Sequence, residues 1–187
     1  MSFAIRLLSF AIATSLTGNV AHGLSTTTKR TIYPEVHPGP GLPTLAELNL
    51  TSEALYTMSP KFDSRELGDQ PALASRSSLY TDNCQTYSTA NVDDVIACFN
   101  YLENIGSNTC GFSGDNVQFC YAGTAQITGS NIFEDPVVAS LCSDVAIGVQ
   151  WIFTYCNVGG QVGGLAAAYG NGDLIVGVEN VDQGCCS

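Results

Sequence analysis

From Ser77 to Ser187 the chain has no lysine, no arginine and no histidine, against eleven Asp and Glu. A nucleic-acid binder displaces phosphate counterions with basic side chains, so that role is excluded for this segment. A histidine base, a lysine Schiff base or an arginine clamp cannot be built from it either. A zinc site with histidine ligands is also excluded. The first part of the chain has the opposite lack: no cysteine occurs before Cys84. All six basic residues (Arg6, Lys29, Arg30, Lys61, Arg65, Arg76), His22, His37 and six of the seven prolines lie in the first 76 positions. The formal charge of −11 over 187 residues is therefore unevenly spread. The length suits one domain with some chain to spare.

No apolar run after the first 30 residues is long enough for a membrane span. Within them, residues 1–23 read as a secretory signal. Arg6 gives the positive start, Leu7 to Leu16 the apolar stretch, and Ala21-His22-Gly23 the small-residue cleavage region. That stretch is too short to cross about 30 Å of hydrocarbon as a helix. The expected location is therefore extracellular. Lys29-Arg30, in a polar Ser/Thr setting, is a dibasic site for a kexin-type processing protease. A cut after Arg30 removes three cations and no acid, moving the formal charge from −11 to −14. Asn49-Leu50-Thr51 is an N-glycosylation acceptor.

Residues 24–76 read as a pro-region or Pro/Gly-rich linker carrying the dibasic site. His37-Pro38-Gly39-Pro40-Gly41-Leu42-Pro43 cannot form a helix or an inner strand. Thr44 with Glu47 suggests a capping box opening a short helix over 44–57. The segment is expected to be poorly ordered. The alternative is an arm packing on the domain through Leu45, Leu48, Leu55 and Tyr56.

Residues 77–187 form the expected cysteine-rich domain. Cys84, Cys98, Cys110, Cys120, Cys142, Cys156, Cys185 and Cys186 are an even set, which in an exported chain means a disulfide framework of open connectivity. Asn91 caps a first helix carrying Val92, Val95, Ile96, Phe99, Leu102 and Ile105 at helical spacing, with Gly106 closing it. A second helix is expected from Asp135-Pro136 through Cys156, with Val138, Cys142, Val145, Val149, Ile152 and Cys156 on its core face. Strands are expected over Leu79–Tyr87, around Val117–Ile127, and in a hairpin turning at Asn171-Gly172. The expected fold class is α+β: a two-layer α/β sandwich, an antiparallel sheet with two helices on one face, stapled by disulfides.

The residues point to no catalytic, cofactor or metal site. Asp93 and Asp94 suit a helix start, and Glu134-Asp135 a cap. Asp115 with Asp173 is the carboxylate pair from different elements that a glycosidase would need. Gly159-Gly160-Gln161-Val162-Gly163-Gly164 follows a helix, the reverse of the dinucleotide order, and reads as a turn. Gly170-Asn171-Gly172-Asp173 has the wrong spacing for a calcium repeat. Ile147, Trp151 and Tyr155, spaced by four, form either a second buried face or an exposed patch for a partner.

The pattern Cys84, Ala97-Cys98, Tyr101-Leu102, Cys110, Phe119-Cys120, Gln126-Ile127-Thr128-Gly129, Cys142-Ser143-Asp144-Val145-Ala146, Cys156, Gly170 to Val176 lies behind a leader and a dibasic site. It resembles small secreted cysteine-rich proteins of filamentous fungi. Over residues 80–180 its layout is similar to the killer-toxin-like and necrosis-inducing effector domains. The resemblance implies a disulfide-stapled α/β sandwich with a toxin-like or host-directed role and no enzymatic reaction. Basic surface residues for blocking cation transport have no counterpart here. The expected function is a non-enzymatic secreted effector or binding protein acting on a host or competitor through an extracellular protein or glycan. The alternative is a structural, wall-associated secreted protein.

Overall fold

The computed structural model describes residues 31–62, 80–132 and 136–183. The signal segment, Lys29-Arg30, Asp135 and the pair Cys185-Cys186 lie outside these residues. The described residues from Ile32 onward belong to one compact unit.

Two antiparallel hairpins make the centre of the sheet. The first joins β5 (Asn116–Ala122) to β6 (Ala125–Asn131) through Gly123-Thr124. Gly123 takes φ +51°, and a Cβ there would run into the Asp94 carboxylate, so glycine is required on both counts. The second joins β10 (Gly164–Ala168) to β11 (Asn171–Asn180). Its two-residue turn is Tyr169-Gly170, with the positive φ of 72° at Gly170. Asn171-Gly172 instead enters β11, where the pairing shifts register. Strand β11 pairs with β6 from Leu174 to Asn180. Two short strands finish the edges, β1 (Val36–Pro38) beside β5 and β2 (Asn83–Cys84) beside β10. Among the described residues of the expected strand 79–87, Asn83 and Cys84 form β2, and the Gln85 N–H donates to the Gly163 carbonyl at 2.9 Å.

Helix α2 (Val92–Asn104) follows β3 (Ala90–Asn91) as the cap and spacing require. The Asn91 side chain accepts from the Asp93 N–H at 2.8 Å. Val95, Cys98, Phe99 and Leu102 are fully buried. Helix α3 (Cys142–Tyr155) begins later than the Asp135-Pro136 signal suggests. Val138–Leu141 is instead strand β7, paired with β4 (Thr109–Phe112). No side chain caps α3. Its first N–H groups donate to the carbonyls of Asn108 (from Cys142, 2.9 Å) and Gly106 (from Ser143, 3.2 Å), so a tertiary partner sets its start. A ribbon of β8 (Asn157–Val158) and β9 (Gln161–Val162) follows and pairs onto β3.

Helix α2 packs on β5 and β6, α3 packs on β10 and β11, and the helices pack on each other. Strand alternation sends Cys120, Ile127, Leu174, Val176 and Val178 into this core. The fold is thus a mixed one of helices and antiparallel sheet, held by three disulfides among the described residues. Cys98–Cys120 ties α2 to β5, Cys110–Cys142 ties β4 to the first residue of α3, and Cys84–Cys156 ties β2 to the residue after α3. Helix α3 is therefore clamped at both ends.

Residues 32–62 are a packed arm rather than a loose linker. The Thr44–Glu47 box forms, with Glu47 accepting from the Thr44 N–H at 2.7 Å. It opens only a turn. The helix α1 (Ser52–Thr57) begins at a second cap, Thr51, which accepts from the Ala54 N–H at 3.1 Å. Leu55 is fully buried, and Leu42, Leu45, Leu48 and Leu50 pack against the core. The prolines are compatible because β1 is an edge strand of three residues.

Candidate functional site

The exposed end of α3 carries the aromatic candidates. Trp151 is half-buried and Tyr155 is 58% exposed, with ring centroids 5.3 Å apart at 41°. Val158, on the edge strand β8, is 76% exposed. Ile147 is fully buried, so the stripe 147/151/155 is not one exposed patch. The exposed part of the stripe narrows to Trp151 and Tyr155, and Val158 is exposed on the strand that follows. Tyr155 and Val158 flank the Cys84–Cys156 bridge, which fixes that end of the helix to β2. Ile147 belongs wholly to a second buried face, and Trp151 belongs to it in part because it packs against the core.

The second constellation surrounds Asp94, which the sequence suggests only as a helix-start acid. Its side chain is buried, with one oxygen accepting from Tyr56 Oη at 2.7 Å. The other accepts from the Thr124 N–H at 2.8 Å and from Thr124 Oγ1 at 2.9 Å. The Thr124 hydroxyl oxygen in turn accepts from the Asn91 N–H at 2.8 Å. A carboxylate in the first turn of a helix also faces its positive end. The network joins the arm, the start of α2 and the β5–β6 turn. Burial, and then the Asp94 carboxylate, push the Tyr56 hydroxyl well above the ordinary tyrosine value.

Further along the same side of α2, Asn100 donates to the carbonyls of Leu55 (2.8 Å) and Met58 (3.1 Å). Tyr101 Oη donates to the Pro43 carbonyl at 2.7 Å. Burial, and then Glu47, raise that hydroxyl too. A recess of about 120 Å³ lined by Met58, Lys61, Asn100, Glu103 and Asn104 lies beside these groups. It is smaller than the roughly 300 Å³ at which pockets for drug-sized ligands begin.

The remaining candidates do not assemble. The Asp115 carbonyl accepts from Asn131 and the Asp173 carbonyl from Ile132, so these acids flank one end of β6. They sit two strand spacings apart, about 10 Å at the backbone. No group of three or more His, Cys, Asp or Glu among the described residues is arranged to hold a metal ion. Asn49 is exposed and in the left-handed region at φ 52°, on the turn before α1.

Fold and site together define a disulfide-stapled α+β domain with a docked N-terminal arm. A family model described as Domain of unknown function (DUF8794) matches residues 77–180, and the chain belongs to that family. No curated protein and no solved structure matches it.

Proposed function

We propose that this protein is a secreted, non-enzymatic binding protein of the toxin-like or effector kind, acting on a host or competitor cell. Its body is read as a two-layer α/β sandwich. The observation that carries the reading is the set of three disulfides clamping α3 at both ends and α2 to the sheet. Such bridges form and persist in oxidising compartments. No helix among the described residues is long and apolar enough to cross a membrane, which is consistent with export. Processing after Arg30 and glycosylation at Asn49 belong to the same reading.

The candidate contact surface is the Trp151–Tyr155 pair at the end of α3, with exposed Val158 on the strand that follows. With no basic side chain from residue 77 onward, the body is suited to a protein, neutral glycan or cationic surface rather than an anionic one. The test applies the processed protein to plant tissue and to rival fungal cells. Damage, growth inhibition or saturable binding, reduced by Tyr155→Ala, is expected. No effect or binding on either, combined with altered wall or spore properties on gene deletion, overturns the reading in favour of a wall-associated role.

A further inference from the structure

We propose that the surface formed by α2 and the edge of β5 is a peptide-binding groove, and that residues 36–58 are its built-in ligand. The groove's contact groups are Asp94, Asn100, Tyr101 and the β5 edge from Phe119 to Ala122. All of them lie within the family span of 77–180, and the whole arm lies outside it. The family module thus presents a receptor whose occupant is supplied from beyond its own boundary.

The contacts are those of a bound peptide. Val36, His37 and Pro38 pair antiparallel with Ala122, Tyr121 and Cys120, adding a strand to an open edge. The Gly39 N–H extends the pairing to the Phe119 carbonyl at 2.8 Å. The His37 ring stacks on Tyr121 with centroids 4.3 Å apart. The helical turn then inserts Leu55 as a fully buried anchor. Tyr56 supplies the polar contact to Asp94, and Asn100 closes on the carbonyls at the helix end. No disulfide fastens the ligand, because no cysteine precedes Cys84. The groove therefore recognises an extended segment followed by a short helix bearing adjacent Leu and Tyr.

The inference is independent of the toxin-like reading and is tested on the full, folded and oxidised chain. A specific protease site is placed between residues 63 and 79, and the backbone is cut after folding. The arm is expected to co-elute with the body on gel filtration. A labelled peptide of residues 31–62 in excess should exchange into the cut protein, with the circular dichroism of the body unchanged. Leu55→Ala in the peptide should weaken competition at least about 30-fold, and Tyr56→Phe about tenfold. Failure of the labelled peptide to enter at any excess would mean that the arm is an inseparable part of the core. Loss of the body's structure on cutting, or equal competition by a scrambled peptide, would overturn the proposal equally.

Discussion

Asp94 is a single carboxylate that ties its own helix start to two other parts of the chain. Removing it leaves the Tyr56 hydroxyl and the Thr124 N–H without their acceptor in a part-buried site. Asp94→Ala is therefore expected to cost about 1–3 kcal/mol in chemical denaturation. A loss below about 0.5 kcal/mol would mean that the network contributes little. Gln126 presents the opposite case. It is buried with its Nε2 unpartnered, while its Oε1 accepts from Gln118 at 2.7 Å. An unpaired buried donor carries a desolvation cost, so Gln126→Met should leave the melting temperature unchanged or raise it. A drop of several degrees would point to a polar partner for that amide in the native protein.

At the scale of elements, the arm has a pH signature. Tyr56 and Tyr101 both hold their protons in the folded chain beyond the ordinary tyrosine value, and both join the arm to α2. In the unfolded chain they release them near pH 10. Their contribution is whole below about pH 10 and is lost as the pH climbs beyond it. Thermal unfolding between about pH 8 and about pH 11.5, either side of that value, should show a steep alkaline loss. Tyr56→Phe should flatten it, and parallel curves would remove the argument. Helix α2 was readable because its cap, acidic first turn and apolar spacing agree. The start of α3 was not, because its N–H groups are met by Asn108 and Gly106, distant partners that leave no local trace. The hairpin turn was displaced from Asn171-Gly172 to Tyr169-Gly170 for a related reason. Gly170 supplies the positive φ, and the Asn171 amide reaches the Ala139 carbonyl instead. The arm looked loose because prolines and missing cysteines are local signals, whereas Asp94, Asn100 and Tyr101 hold it from 38 to 58 residues away.

At the scale of the whole molecule, the three bridges among the described residues differ in access. Cys84 is exposed, while Cys98, Cys110, Cys120 and Cys142 are fully buried. Mild reduction followed by differential alkylation should label Cys84 and Cys156 first. Early labelling of Cys98 or Cys120 would contradict the buried packing. Each loop closure corresponds to about 3–5 kcal/mol on the chain-entropy account. The clamps on α3 also bear on how the native pairs are chosen during oxidation. Cys142 opens that helix and Cys156 follows its last residue. Once the helix has formed, the rise of about 1.5 Å per residue holds the two some 21 Å apart. A bridge needs Cα atoms within about 7 Å, so these thiols cannot join each other. The helix acts as a ruler, and a sequence change that melted it early would release scrambled isomers rather than a merely weakened native form.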